Sequence, residues 1–189
     1  MIELGLTGGK RSFTGATFTL GNRIKRGIWQ LAWIAFARWT PPPLHAWRVF
    51  LLNLFGARIA KSAHVYSSVS IWAPWNLQIS ALGTLGRGVQ CYNIAPVSIG
   101  YKTVISQGVH LCTGTHDYLN PNFPLTARPI SIGDRAWICA DAFIGPGVTV
   151  GEGAILGAAG AAFHDLNSWT IYVGNPAIPK RARPVITDE

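Results

Sequence analysis

The sequence predicts a mainly β protein: a parallel β-helix of about five three-sided coils, with a helical segment before it and a short tail after it. Three observations predict this. An aliphatic residue returns every six positions, as in Ile132, Ile138, Ile144, Val150 and Leu156. A small or branched residue stands four places after these beats, among them Ala136, Ala142, Val148 and Ala154. Glycine often follows the beat directly, as at Gly133, Gly145, Gly151 and Gly157. Ile, Leu and Val are 45 of the 189 residues, so five in register arise by chance about once in a thousand trials. Six is a poor helical period, and glycine at this density would cost a helix about 1 kcal/mol per residue. Six does suit short strands joined by tight turns, three to a coil, stacked at the strand spacing of about 4.8 Å.

Residues 1–58 obey another rule. "NRIKRGIWQLAWIAFARW" sets Ile24, Ile28, Leu31, Ile34 and Ala35 at helical spacing, with Trp29, Trp33 and Trp39 adding aromatic weight. Its uncharged run from Gly27 to Ala37 falls short of the roughly 20 residues that span a bilayer. "TPPP" forces a break, and "AWRVFLLNLFGA" reads as a second short helix ending at Gly56. Two uses stay open for this segment. It can cap the open edge of the first coil, or it can lie in a membrane interface with its tryptophans at headgroup depth.

Residues 59–175 carry the beat. Coils begin at Ile59, Ile79, Ile99, Ile132 and Val150, and two-residue phase slips join the early runs. The beat stops once, in "HLCTGTHDYLNPNFPLTARPISIG" (residues 110–133). A β-helix is packed inside and flat outside, so it must extrude a loop to build a site. Residues 112–130 form that loop, and His116 stands where the rhythm breaks, at the base of the loop. Residues 176–189 form the tail.

Composition narrows the function. The chain is 49% hydrophobic and 13% charged, with 21 glycines, which fits one domain with a substantial core and argues against disorder. A net charge of +8 comes without a recognition helix, a zinc-finger pattern or stacking residues in a basic groove. The basic edge therefore points to small phosphates or a membrane surface instead of nucleic acid. Cys91, Cys112 and Cys139 make neither a CxxC pair nor a disulfide framework. Residues 1–23 lack a secretory signal, so a cytoplasmic location is expected.

The stretch "ISIGDRAWICADAFIGPGVTVGEGAILGAAG" resembles the left-handed β-helix hexapeptide acyltransferases. "LHAWRVFLLNLFGARI", "NIAPVSIG", "LCTGTHDY" and "GNPAIPKRAR" narrow the resemblance to the colanic-acid-type sugar O-acetyltransferases of exopolysaccharide pathways. It covers about residues 40–184. The resemblance implies left-handed coils, a homotrimer whose loops close sites against neighbouring chains, and direct acetyl transfer from acetyl-CoA to a hydroxyl of a free or lipid-linked sugar. His116 would be the general base, a role suited to a side chain that titrates near neutral pH. Asp117 or a backbone carbonyl would fix its tautomer. Asn93 falls where the family has a polar residue near the acceptor, Trp137 where it lines the thioester end, and Ala140 where a backbone amide serves as oxyanion donor. Gly157, Ala158 and Ala159 would let coenzyme approach closely, and Lys180 and Arg181 would meet its phosphates. One departure stands out: "GAAGAAFHDLN" puts Gly160, Phe163 and His164 where the family has Ser and Thr-Lys. Two other readings remain. A γ-type carbonic anhydrase would need zinc held by His64, His110 and His116, yet the last two are one repeat unit apart and so point from different faces. A non-catalytic β-helix scaffold explains the repeats but not the loop with its histidine.

Overall fold

The computed structural model describes residues 17–186. Residues 1–16, which hold most of the stretch read for a secretory signal, and residues 187–189 at the end of the tail lie outside it. The chain folds as a left-handed parallel β-helix behind two α-helices. The beat residues point inward: Val65, Leu85, Ile105, Leu111, Ile138, Ile144 and Leu156 are all fully buried. Each coil lays one short strand on each of three faces. The first face pairs the strands of Ile59, Ile79, Ile99, Ile132 and Val150 in parallel. The second and third carry the beats that follow. Five coils are complete, as the beat predicts, and a sixth is partial. Leu166 bridges to Val150, and the strand Thr170–Val173 pairs with Ile155–Leu156. The residues after 176 are not a bare tail, because Ile178–Ala182 adds an antiparallel strand to Thr170–Val173.

The phase slips have a physical cause. In Leu77–Ile79, Val97–Ile99 and Ile130–Ile132 both end residues face the core. The first-face strand is thus three residues long, and the early coils take two residues more than three sixes.

Helix α1 (Leu20–Phe36) starts at Thr19, whose side chain accepts from the Asn22 amide. Helix α2 (His45–Leu54) stops where Gly56 turns to φ +92°, close to the predicted end. Together they close the edge of the first coil. Along the prism, the amide after each beat residue donates to the beat carbonyl of the next coil, as Ala60 does to Ile79, Tyr66 to Leu85 and Trp72 to Cys91. The carbonyls of Ile59, Val65 and Ile71 have no earlier coil to serve them. Helical side chains meet all three, and His45 Nδ1 shares Val65 O with Arg48. Asn53 Nδ2 donates to Ile59 O at 2.9 Å, Arg48 Nε to Val65 O at 2.6 Å, and Trp29 Nε1 to Ile71 O at 2.8 Å. A buried carbonyl without a donor costs roughly 1–3 kcal/mol, so these three bonds are what an open first coil needs.

Two of the three tryptophans, Trp29 and Trp33, depart from the interfacial expectation, while Trp39 stays exposed. Trp29 and Trp33 are 1% and 7% exposed, packed on the coil, while Ile24, Ile28, Leu31 and Ile34 face outward. The indole N–H of Trp29 can serve a bare carbonyl and an aliphatic side chain cannot, which decides the face that turns inward.

Burial also lowers the pKa of His45 and His110 below the ordinary 6.5; a bond to the Val65 carbonyl opposes the shift at His45, and Arg48 and His64 add to it. The unfolded chain therefore binds more protons than the fold once pH drops below about 6.5, and stability is lost in that direction. The melting temperature is expected to fall between about pH 7 and pH 5, above the range where ordinary carboxylates titrate. A flat profile over that window would contradict this account.

Candidate active site

The interrupted beat becomes a hairpin. Gly114–His116 pairs antiparallel with Leu125–Ala127, and His116 sits opposite Leu125 at the outer end of the ladder. The base of the hairpin is Thr113, not His116. Thr113 is fully buried; its hydroxyl donates to Tyr92 O at 2.9 Å and accepts from the Ala95 amide at 3.1 Å. Its carbonyl accepts from the Arg128 amide at 2.9 Å, which ties the two ends of the insertion together. Gly114 follows because nothing larger fits: a Cβ there would stand 2.8 Å from the Tyr92 ring and 3.0 Å from Ile94.

His116 is exposed but not loose. Its ring stacks on Phe123, with centroids 4.6 Å apart and planes 11° from parallel. Its Nδ1 lies 2.8 Å from the Phe123 carbonyl oxygen. A carbonyl only accepts, so Nδ1 carries the proton and the neutral ring leaves Nε2 as a bare acceptor. Phe123 adopts φ +45°, which bulky residues rarely do, and this conformation sets both its ring and its carbonyl. Asp117 does not hold the imidazole. Its Oδ1 accepts from the Leu119 amide at 3.1 Å and its own amide donates to Pro124 O, so it shapes the turn. Asn93 is fully buried, with its amide group spent on Ala73: Oδ1 accepts from Ala73 N at 2.9 Å and Nδ2 donates to Ala73 O at 2.6 Å. A molecule outside the coil cannot touch Asn93 while that pair stands.

The coenzyme candidates gather elsewhere, on the second face. Register aligns Trp137, Ile155, Ile171 and Arg181 in one outward row across four neighbouring strands. Three strand spacings, about 14 Å, separate its ends. Trp137 is 46% exposed and held by a bond from Nε1 to Ser106 Oγ at 2.9 Å. Ser106 also lines a hollow of about 330 Å³ with Tyr66, Arg87 and Gln107. Ala140 opens the turn after this strand. Its carbonyl accepts from Ala159, while its amide donates to nothing among the described residues. The Ala158 amide, one coil on and exposed, is equally uncommitted among them. Gly157 lies beside Val173, where a Cβ would come within 3.1 Å of the valine side chain. Lys180 and Arg181 are exposed on Ile178–Ala182. At the departure from the family pattern, Phe163 is 52% exposed and tilts against Phe143, and His164 is exposed.

The hairpin leaves the prism at the edge between the third and first faces, and Trp137 stands on the second face, opposite that edge. One chain therefore does not bring His116 and Trp137 together. His64 lies on the second face and His110 on the third, so the three histidines of the zinc reading do not converge; among the described residues no group of three His, Cys, Asp or Glu is placed to hold a metal. Sequence reasoning missed Phe123, Thr113 and Ser106. The chain around Phe123, "NPNFPL", signals a turn, but nothing in it announces a phenylalanine with positive φ.

No protein-family model matches the chain. The chain is 40% identical over 166 residues to the Escherichia coli (strain K12) protein named as the colanic acid biosynthesis acetyltransferase WcaF, covering 88% of this chain and 91% of that protein. Two solved structures share the fold. A hexapeptide-repeat acetyltransferase of Vibrio cholerae O1 biovar eltor, complexed with acetyl coenzyme A, superposes with TM-score 0.74 at 24% identity over 87% of this chain and 88% of that one. A galactoside acetyltransferase in complex with coenzyme A gives TM-score 0.77 at 23% identity over 87% and 83%.

Proposed function

The chain belongs to the colanic-acid-type hexapeptide-repeat acetyltransferases, and from that premise we propose that it moves an acetyl group from acetyl-CoA to a sugar hydroxyl, with His116 as general base. The observation that carries the base assignment is the bond between Nδ1 of His116 and the Phe123 carbonyl, which leaves Nε2 free to take a proton. The sugar oxygen attacks the thioester carbon as its proton passes to Nε2. The C–S bond then breaks, and the imidazolium returns the proton to the departing thiolate. The Ala140 amide suits the oxyanion that develops between these steps. No acyl-enzyme is needed. Burial pushes the Cys112 and Cys139 thiols up, and the Cys91 thiol to about 12, so none is poised as a thiolate. In this reading Asp117 and Asn93 position the hairpin turn and the coil corner and do not touch substrate. The thioester lies against Trp137, the pantetheine arm passes the Gly157–Ala158 turn toward the uncommitted Ala158 amide, and Lys180 and Arg181 meet the phosphates. Mass spectrometry with acetyl-CoA and a panel of nucleotide-linked and lipid-linked sugars tests the reaction. Release of free CoA that ignores His116 would favour the scaffold.

Because His116 and Trp137 face away from each other, each site is assembled between neighbouring chains of a homotrimer, working on the cytoplasmic side. The arrangement has a direct test. Asp141 has φ +58° after Ala140, the pattern of a turn that accepts proline at its second position, so Ala140→Pro removes the amide donor and keeps the turn. Trimers of His116→Ala alone and of Ala140→Pro alone are each expected to be impaired. Mixed trimers of the two chains should regain activity, because some sites then combine an intact His116 with an intact Ala140. Failure to recover, or a monomer in light scattering at micromolar protein, would remove the shared site.

A further inference from the structure

The helices that cap the first coil leave their opposite side unexplained. Leu20, Ile24, Ile28, Leu31 and Ile34 of α1 are 69%, 55%, 55%, 70% and 62% exposed. On α2, Phe50 and Leu54 are 57% and 68% exposed, and Trp47 stacks on Phe50 at 5.7 Å. An apolar face this continuous is uncommon on a chain with nothing to cover it. Charge indicates what covers it. Between Glu3 and Asp117 the sequence contains no Asp or Glu, while Arg23, Lys25, Arg38, Arg58 and Lys61 are all exposed at this end. A second copy docked face to face would bring these cations together with no carboxylate between them.

We propose that the outer face of α1, with the exposed edge of α2, docks on an anionic lipid bilayer. No helix among the described residues is long and apolar enough to cross a membrane; a 17-residue helix apolar on one side lies in the interface instead. The end of the face fits that depth. Trp39 and Trp47 donate their indole N–H groups to Ala35 O and Phe36 O, both at 2.7 Å, and keep their rings exposed. The docking surface stands apart from the acetyl-transfer reading, although it bears on the acceptor. The hairpin leaves the third coil, two strand spacings or about 10 Å beyond the capped edge, within reach of a sugar carried on a lipid headgroup.

Sedimentation of the full chain with phosphatidylcholine vesicles and with mixed phosphatidylcholine–phosphatidylglycerol vesicles tests the proposal. Binding is expected to the mixed vesicles and to fall as salt is raised. Ile24→Glu combined with Leu31→Glu should lower the bound fraction by more than about tenfold, with melting temperature, particle size and CoA release unchanged. Arg23→Gln combined with Arg38→Gln, which spares the apolar face, should weaken binding by about fivefold per charge removed. Three results would overturn it: no binding to either vesicle, binding indifferent to both pairs of substitutions, or loss of self-association in the Ile24→Glu, Leu31→Glu chain. The last would mean that a second copy covers the face.

Discussion

Alanine at position 116 is expected to lower kcat by about 10²- to 10⁴-fold, the usual share of general-base catalysis, and to leave the fold and the affinity for coenzyme unchanged. The fold survives because His116 is exposed at the outer end of a hairpin whose base is fixed by Thr113 and Gly114. Coenzyme affinity should survive because, in the proposed site, His116 meets the acceptor hydroxyl, whereas the residues proposed to hold coenzyme are Trp137, Lys180 and Arg181 on the second face and its added strand. A hydroxyl is a poor nucleophile until its proton has somewhere to go, so the loss falls on kcat. The measurement is the rate of CoA release with the best acceptor from the sugar panel, beside a binding titration with acetyl-CoA. Turnover near that of the unsubstituted chain would remove His116 from its role. A large rise in the dissociation constant would instead mean that the ring contacts coenzyme.

The repeat was legible because it is a packing rule written in side chains. Ile138, Ile144, Val150 and Leu156 recur in step since each must fill the same narrow prism, and burial admits few alternatives. The insertion was legible for the same reason, as the place where the rule lapses. What happens inside it was not. The base of the loop was expected at His116 and lies at Thr113, and the tautomer is set by Phe123, whose backbone conformation no local pattern announces. Asn93 misled in the opposite way. A polar residue at a family position looks like a contact until the structure buries it against Ala73. The helices followed the same logic. Spacing identified an apolar stripe on α1, but the three bare carbonyls of the first coil select the donor-bearing side chains, so the tryptophan face turns in and the aliphatic stripe turns out.

Arg48→Met should cost about 3 to 4 kcal/mol, because it removes a side chain that ties α2, the proline turn and the first coil together. Arg48 is fully buried and forms no ion pair among the described residues. Its Nε donates to Val65 O; Nη1 reaches Thr40 Oγ1 at 2.8 Å and Pro41 O at 2.9 Å, and Nη2 reaches Pro42 O. Burial lowers its pKa, partly offset by Tyr66, yet a guanidinium stays protonated and acts here as a fork of donors. Methionine keeps most of the apolar stem and supplies no donor. Val65 O retains His45 Nδ1 at 2.9 Å, but the proline-turn carbonyls are left without this partner, at roughly 1–3 kcal/mol for each that stays dry. For a chain of this length the melting temperature should drop by roughly 10 °C. Arg48→Lys should recover little, since one ammonium cannot span Val65, Thr40 and Pro42 at once. Activity per folded molecule should hold, because no acceptor or coenzyme group in this account meets Arg48. A loss below about 1 kcal/mol in urea unfolding, where single surface changes usually fall within ±0.5 kcal/mol, would mean that water replaces the fork and that the cap depends on Trp29 and Asn53 instead.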